Sequence, residues 1–133
     1  MAAVALVDSC VWIGLLREGR DPARELVGRA RTLDLATCGM VRLEVLRGVA
    51  RPAVFRAVEG FMDVMINVPT DNRLWEEATR EARALGARGI TLPAQDLIIA
   101  ACARRIEAAV LTFDAHFLDI PGLSVMSSLD ELY

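Results

Sequence analysis

The sequence predicts an α/β fold, a three-layer α/β/α sandwich around a central, mainly parallel sheet of about five strands. Short apolar runs rich in β-branched residues alternate with stretches of helical periodicity, as in parallel α/β proteins. Residues 97–103 are all apolar, Ala or Cys, which is typical of a buried helix. The length of 133 residues and the hydrophobic fraction of 54% suffice for one core. We therefore expect one domain spanning residues 1–133.

Local signals place the elements along the chain. The predicted strands are residues 3–7, 33–37, 66–68, 109–113 and 123–125. The predicted helices run from residue 10 to about 17, from 22 to about 30, from 39 to 49, onward from 52, from 72 to 85, and onward from 93. Residues 129–133 form a tail expected to contribute little. No apolar run approaches the roughly 18 residues of a membrane span.

Capping residues support several of these helix boundaries. Ser9 is the expected N-cap of the first helix, and Asp21-Pro22 opens the second with an acid followed by a proline in the first turn. Asp71 is the expected cap of the fifth helix. That helix has its inward face predicted at Trp75, Ala78, Ala82 and Leu85.

Two acids are expected at one edge of the sheet. Asp8 ends the first predicted strand and Asp114 ends the fourth. The carboxyl ends of parallel strands share an edge, outside which ligands bind in such folds. Each acid also has an ordinary structural explanation, as a cap for Asp8 and as a turn residue for Asp114.

Two further acids occupy comparable places. Asp96 lies in the first turn of the buried helix, where the helix dipole favours a negative charge. Glu44 interrupts an otherwise apolar helix and can face either solvent or the sheet edge. Four crowded carboxylates would repel one another and raise each other's pKa. Bound Mg²⁺ or Mn²⁺ would relieve that repulsion, because these ions prefer oxygen ligands.

Charge and cysteine usage narrow the function. The net charge is −3, but the 15 basic residues are all Arg, so the chain without the four acids is slightly positive. Metal ions at the acids would still allow a phosphate ligand to bind. The three cysteines lack a C-x-x-C pattern, which argues against a zinc site or a disulfide framework and favours a reducing cytoplasm. The start of the chain lacks the basic region of a signal peptide. An acid cluster of this kind is suited to metal-dependent phosphodiester hydrolysis.

The chain resembles the PIN domains, and most closely the VapC-type toxins of bacterial toxin–antitoxin pairs. The matching segments, in the family's order, are residues 6–9 (LVDS) with Trp12 following, 41–48 (VRLEVLRG), 92–101 (LPAQDLIIAA) and 110–117 (VLTFDAHF). The resemblance implies metal-binding acids at Asp8, Glu44, Asp96 and Asp114. It also implies an Mg²⁺- or Mn²⁺-dependent endoribonuclease that uses water to cleave tRNA or rRNA.

The resemblance further implies partners and supporting residues. A homodimer is expected, together with a small VapB-like antitoxin whose C-terminal segment fills a hydrophobic groove and blocks the site. Ser9 and Thr112 would orient the carboxylates, although a cap and a strand position explain them equally well. His116 could reach a phosphate or the metal, and Asp119 could join the cluster as an outer ligand, but both are more simply explained as turn residues. Candidate contacts to RNA phosphates are Arg17, Arg42, Arg47 and Arg88.

Other functions remain as alternatives. A receiver-like signalling domain also carries acids at strand ends, but it needs a Lys that this chain lacks. A phosphatase of the haloacid dehalogenase type needs D-x-D after the first strand, and Cys10 occupies the second position. An inactive PIN-like interaction module is disfavoured because all four acids are present, but it stays open.

Overall fold

A computed structural model describes residues 3–29 and 33–128. The strands are β1 (Ala3–Val7), β2 (Leu33–Cys38), β3 (Ile66–Val68), β4 (Ala109–Leu111) and β5 (Val125–Met126). The helices are α1 (Ser9–Arg17), α2 (Pro22–Arg29), α3 (Gly39–Leu46), α4 (Pro52–Asp63), α5 (Asn72–Ala87) and α6 (Ala94–Arg105), and a short 3₁₀ helix covers Ala115–Asp119. Within these ranges, no helix is long and apolar enough to cross a membrane. The predicted tail from residue 129 lies outside the described residues.

The five strands pair in parallel in the order β3-β2-β1-β4-β5, which confirms the predicted fold class. The chain leaves β1 for β2 and β3 on one side and returns to β4 on the other side. Right-handed crossovers then place α1–α4 on one face of the sheet and α5 with α6 on the other. The order reverses at β1, so the crevice expected of this topology opens where β1 and β4 end.

The core explains why α6 is apolar along its whole middle. Residues 97–103 are all buried, because α6 packs against α5 and against the sheet. On the other face, Trp12 is fully buried in α1. Its indole N–H donates to the carbonyl of Val7 at 3.3 Å, and its ring meets that of Phe61 edge-on at 5.6 Å between centroids. Buried contacts therefore fix α6 on one face of the sheet and α1 on the other, beside the strand ends.

Two predictions about helix ends and faces are wrong. Asp8, rather than Ser9, is the N-cap of α1, because its extended backbone lets its carboxylate accept from the Ser9 N–H at 2.8 Å. In α5, Trp75 is 47% exposed, whereas Leu74 is fully buried. The rest of the predicted inward face is confirmed, since Ala78 and Leu85 are buried and Ala82 packs against the core.

Several element boundaries also differ from the predictions. The third helix ends at Leu46 rather than at residue 49, and the last strand is Val125–Met126 rather than residues 123–125. The fourth strand ends at Leu111, two residues early. The reason lies in the side chain of Thr112, whose hydroxyl accepts the N–H of Asp114 at 2.9 Å and turns the chain into the 3₁₀ helix. Asp114 is thus the cap of that helix and not the last residue of a strand.

Candidate metal centre

Asp8 is a buried carboxylate held by its neighbours at the end of β1. Only 3% of the residue is exposed. Its Oδ1 accepts from the Ser9 N–H at 2.8 Å, and its Oδ2 accepts from the Thr112 hydroxyl at 2.7 Å. The Cys10 thiol donates to the same Oδ2 at 3.2 Å. Burial raises the pKa of Cys10 to about 11, so this thiol stays protonated and remains a donor.

Glu44 reaches the same edge from α3 and meets Asp8 through Ser9. The Ser9 Oγ lies 3.4 Å from Asp8 Oδ1 and 3.3 Å from Glu44 Oε1. A hydroxyl carries one proton, so it donates fully to only one of the two carboxylates at a time. Burial raises the pKa of Glu44, and the charge of Asp8 raises it further. The two acids therefore compete for one donor and repel each other.

Asp96 is the acid with the most strongly altered environment. It lies in the first turn of α6, and its Oδ2 is buried without a hydrogen-bond partner among the described residues. Its pKa is raised from 3.8 to about 6, first by burial and then by the charges of Asp114 and Asp8. A carboxylate in this position is stabilised by a cation, so the site favours one.

Asp114 and His116 complete the group from the 3₁₀ helix. The Asp114 Oδ1 accepts from the backbone N–H of His116 at 2.9 Å. The imidazole Nδ1 of His116 lies 3.2 Å from Asp114 Oδ1 and 3.4 Å from Asp96 Oδ2. The sequence favoured a turn residue at His116 over a contact to metal or phosphate, and the structure places its ring in that turn, beside Asp96 and Asp114.

The structure brings all the predicted site residues to one edge of the sheet, where their contacts divide them into two groups. Asp8 and Glu44 meet through Ser9, whereas Asp96 and Asp114 meet beside His116. In the second group each residue offers one ligand atom, and these atoms lie within 4.8 Å of one another. The buried, unpartnered Oδ2 of Asp96 and the oxygen-rich donor set fit a hard divalent ion. Asp119 lies exposed on the 3₁₀ helix and does not join this group.

The arginines proposed as phosphate contacts differ in their surroundings. Arg42 donates to Asp63 of α4 at 2.5 Å and to Asn67 of β3 at 3.1 Å, so its guanidinium is already bound by residues of this chain. The charge of Arg47 opposes the rise in the pKa of Glu44, which places Arg47 near the acids.

A groove of about 720 Å³ opens beside the acids, between α1, α2, α3 and α4. Its walls are mainly aliphatic and include Ile13, Leu16, Val45, Val49, Val54 and Val58. Arg17, Arg20 and Arg51 also line it, and so does Glu44. The groove thus leads from an apolar surface directly to one of the four acids.

Comparisons with known proteins show the fold and the family of the chain. The chain has the fold of VapBC from Salmonella typhimurium bound to DNA, with a TM-score of 0.76, 18% identity, and coverage of 93% of this chain and 97% of that one. For VapBC2 from Rickettsia felis, bound to a promoter DNA fragment, the TM-score is 0.75 and the identity 18%, and the match covers 92% of this chain and 97% of that one. For VapBC-5 from Mycobacterium tuberculosis the TM-score is 0.61 and the identity 22%, with coverage of 93% of this chain and 96% of that one. No curated protein matches significantly. The family model of the PIN domain matches residues 5–123, and the chain therefore belongs to the PIN domain family.

Proposed function

We propose that this protein is a metal-dependent endoribonuclease and the toxin of a toxin–antitoxin pair. It hydrolyses phosphodiester bonds of RNA, with tRNA or rRNA as the substrate, and acts in the cytoplasm. The observation that carries the proposal is the state of Asp96. Its buried Oδ2 lacks a hydrogen bond among the described residues while the charges of Asp114 and Asp8 oppose its ionisation. An arrangement that costs stability in this way is typical of a functional site.

Each predicted residue has a part in this proposal. Asp8, Glu44, Asp96 and Asp114 together hold Mg²⁺ or Mn²⁺, and the ligand atoms of Asp96 and Asp114 lie within 4.8 Å of each other beside His116. When bound, the ion supplies an activated water molecule and neutralises charge on the phosphodiester. Thr112 orients the carboxylate of Asp8, and Ser9 orients Asp8 and Glu44. Such supporting contacts fix ligand geometry and thereby increase metal affinity.

The groove supports the proposed antitoxin. The structural relatives are VapBC complexes, and the aliphatic walls of the groove suit an apolar segment of a VapB-like partner. Arg20 is already bonded to Glu18 and Glu25, so Arg17 and Arg51 are the lining arginines that suit an acidic or carboxylate group at the edge of that segment. Because Glu44 lines the same groove, an occupant would reach the acids and block the access of RNA.

Exposed aliphatic residues support the proposed homodimer. Val64 is 83% exposed, and Leu43 and Ile66 are also exposed. Arg42 bonds to Asp63 and Asn67, so each of these three aliphatic residues is adjacent in sequence to a member of one contact cluster. Ile66 begins β3, an edge strand of the sheet, and the contacts of Arg42 bring the backbones next to Leu43 and Val64 into the same region. A second copy that covers this surface would remove it from water.

The test is cleavage of total tRNA and rRNA by the purified protein in Mg²⁺ or Mn²⁺. Asp96→Asn removes a ligand charge, whereas Asp34→Asn removes an exposed charge near the start of β2 and is the matched control. Since a metal ion contributes several kcal/mol to such reactions, Asp96→Asn should lower the rate by about a hundredfold or more. Asp34→Asn should cleave like the wild type. Equal cleavage by Asp96→Asn and wild type would contradict the proposal, and no cleavage by wild type would favour an inactive interaction module. Mapping RNA ends after brief expression in cells would identify the substrate.

A further inference from the structure

We propose that His116 is a direct ligand of the divalent ion, through its imidazole Nδ1, and that it makes the site prefer Mn²⁺ to Mg²⁺. The inference rests on the metal-dependent function proposed above and deepens it. The resemblance of the sequence to PIN domains implies four acids as ligands, and it does not include a nitrogen ligand from the position of His116.

The distances around the Nδ1 fit ligation of a single ion. Neighbouring ligand atoms on an octahedral ion with bonds of about 2.1 Å lie about 3.0 Å apart, and opposite ones about 4.2 Å apart. The Nδ1 of His116 lies 3.2 Å from Asp114 Oδ1 and 3.4 Å from Asp96 Oδ2. The ligand atoms of all three residues lie within 4.8 Å of one another. Small side-chain adjustments would therefore suffice for one ion to contact all three.

The backbone places His116 beside Asp114. The N–H of His116 donates to the Asp114 carboxylate at 2.9 Å, and Asp114 is the cap of the 3₁₀ helix that carries both residues. The next side chain, Phe117, is fully buried and anchors that helix in the core. Asp96 is fixed independently by the first turn of α6. The backbones that carry the three donors are thus fixed by elements packed in the core, and a modest rotation of the His116 ring is enough to present its Nδ1.

The contact between His116 and Asp96 does not satisfy the carboxylate. The 3.4 Å approach lacks hydrogen-bond geometry, so the buried Oδ2 retains unused lone pairs beside the ring. Two oxygens and a nitrogen that converge without bonding fully to one another are better explained as ligands of one shared metal ion.

The nitrogen donor affects which ion is held. Mg²⁺ strongly prefers carboxylate, carbonyl and water oxygens, whereas imidazole suits transition metals. A site with Asp96 and Asp114 alone would treat Mg²⁺ and Mn²⁺ similarly. The addition of the His116 nitrogen should increase the affinity for Mn²⁺ more than the affinity for Mg²⁺.

The test compares untagged wild type, His116→Ala and the control Leu118→Ala, which truncates an exposed side chain of the same 3₁₀ helix. Calorimetry measures the Kd for Mn²⁺ and for Mg²⁺, and pulsed electron paramagnetic resonance of bound Mn²⁺ detects an imidazole nitrogen. We expect the nitrogen coupling in wild type and Leu118→Ala and its loss in His116→Ala. The Kd for Mn²⁺ should rise by at least about tenfold in His116→Ala, with a smaller change for Mg²⁺. Circular dichroism should show that all three proteins are folded.

Absence of the nitrogen coupling in wild type, or an unchanged Kd for Mn²⁺ in His116→Ala, would overturn the inference. If Asp96→Asn abolished Mn²⁺ binding in that case, the metal site of the proposed function would stand without His116. If the wild type bound no Mn²⁺ at all, both proposals would fail. The two failures are therefore distinguishable.

Discussion

The hydroxyl of Thr112 donates a 2.7 Å hydrogen bond to Oδ2 of Asp8, joining residues 104 positions apart in the sequence. The hydroxyl oxygen of Thr112 also accepts the N–H of Asp114 at 2.9 Å. One small side chain thus connects an acid that follows β1 with the turn that carries an acid after β4. The register makes this possible, because Val7 and Leu111 are partners at the ends of the two strands.

Replacing Thr112 tests that connection. Thr112→Val keeps the shape but removes both hydrogen bonds and leaves a buried carboxylate short of a donor. We expect a loss of about 1.5–3 kcal/mol in the free energy of unfolding, measured with urea, and a weaker Kd for Mn²⁺. Thr112→Ser retains the hydroxyl and should restore most of both quantities. If Thr112→Val were as stable as wild type and bound Mn²⁺ equally well, the supporting role of Thr112 would be refuted.

The raised pKa of Asp96 makes a prediction about stability and pH. The pKa is about 6 in the folded protein and about 3.8 when unfolded, so the folded state binds a proton more tightly. The stabilisation from this proton is complete below pH 4 and is lost as pH rises through 6. In chelator at pH 8, Asp96→Asn should therefore be more stable than wild type.

The size of that effect is limited by solvent. A pKa change of this extent corresponds to at most about 3 kcal/mol. Screening at this partly exposed site reduces the expected difference to about 1 kcal/mol. Urea unfolding at pH 4, 6 and 8 measures it, with Asp34→Asn as control. A mutant that is less stable than wild type at pH 8 would show that the carboxylate is not under repulsion.

Removing divalent ions should stop catalysis. EDTA is expected to abolish RNA cleavage, and added Mg²⁺ or Mn²⁺ should restore it. The acids are negatively charged like the phosphodiester, so only a bound cation neutralises its charge. Bound metal should also protect the fold, by about 2.7 kcal/mol at a free concentration one hundred times the Kd. Thermal unfolding with and without Mn²⁺ measures this protection, which Asp96→Asn should lose. Full activity in chelator would rule out the metal mechanism.

The aliphatic surface beside β3 gives a prediction about assembly. Val64→Arg places a charge at the centre of the proposed dimer contact, where it would be buried without a partner. We expect the molar mass from light scattering to fall to that of one chain. Val27→Arg alters an exposed valine of α2 and should remain dimeric. Retention of the dimer by Val64→Arg would place the interface elsewhere.

Much of the fold followed from local patterns. The strands Ala3–Val7 and Ile66–Val68 and the start of α4 at Pro52 were correct to the residue, because alternation, apolar runs and proline act over a few positions. Trp75 was wrongly assigned to the inward face of α5 because Leu74 and Trp75 are both apolar and adjacent, so periodicity alone does not decide between them. The early end of β4 escaped prediction because it depends on the side chain of Thr112.

The sequence by itself determined the order of the elements, the parallel sheet, and the acids that end strands or begin helices, since these depend on residue type and spacing. Only the tertiary structure decided which side chains meet. The strand order puts β4 beside β1, which brings Thr112 to Asp8, and the 3₁₀ helix turns His116 toward Asp96. A lone histidine in a turn has no periodicity from which its contacts can be read. Its position between two acids follows from the packing of segments that are distant in the chain.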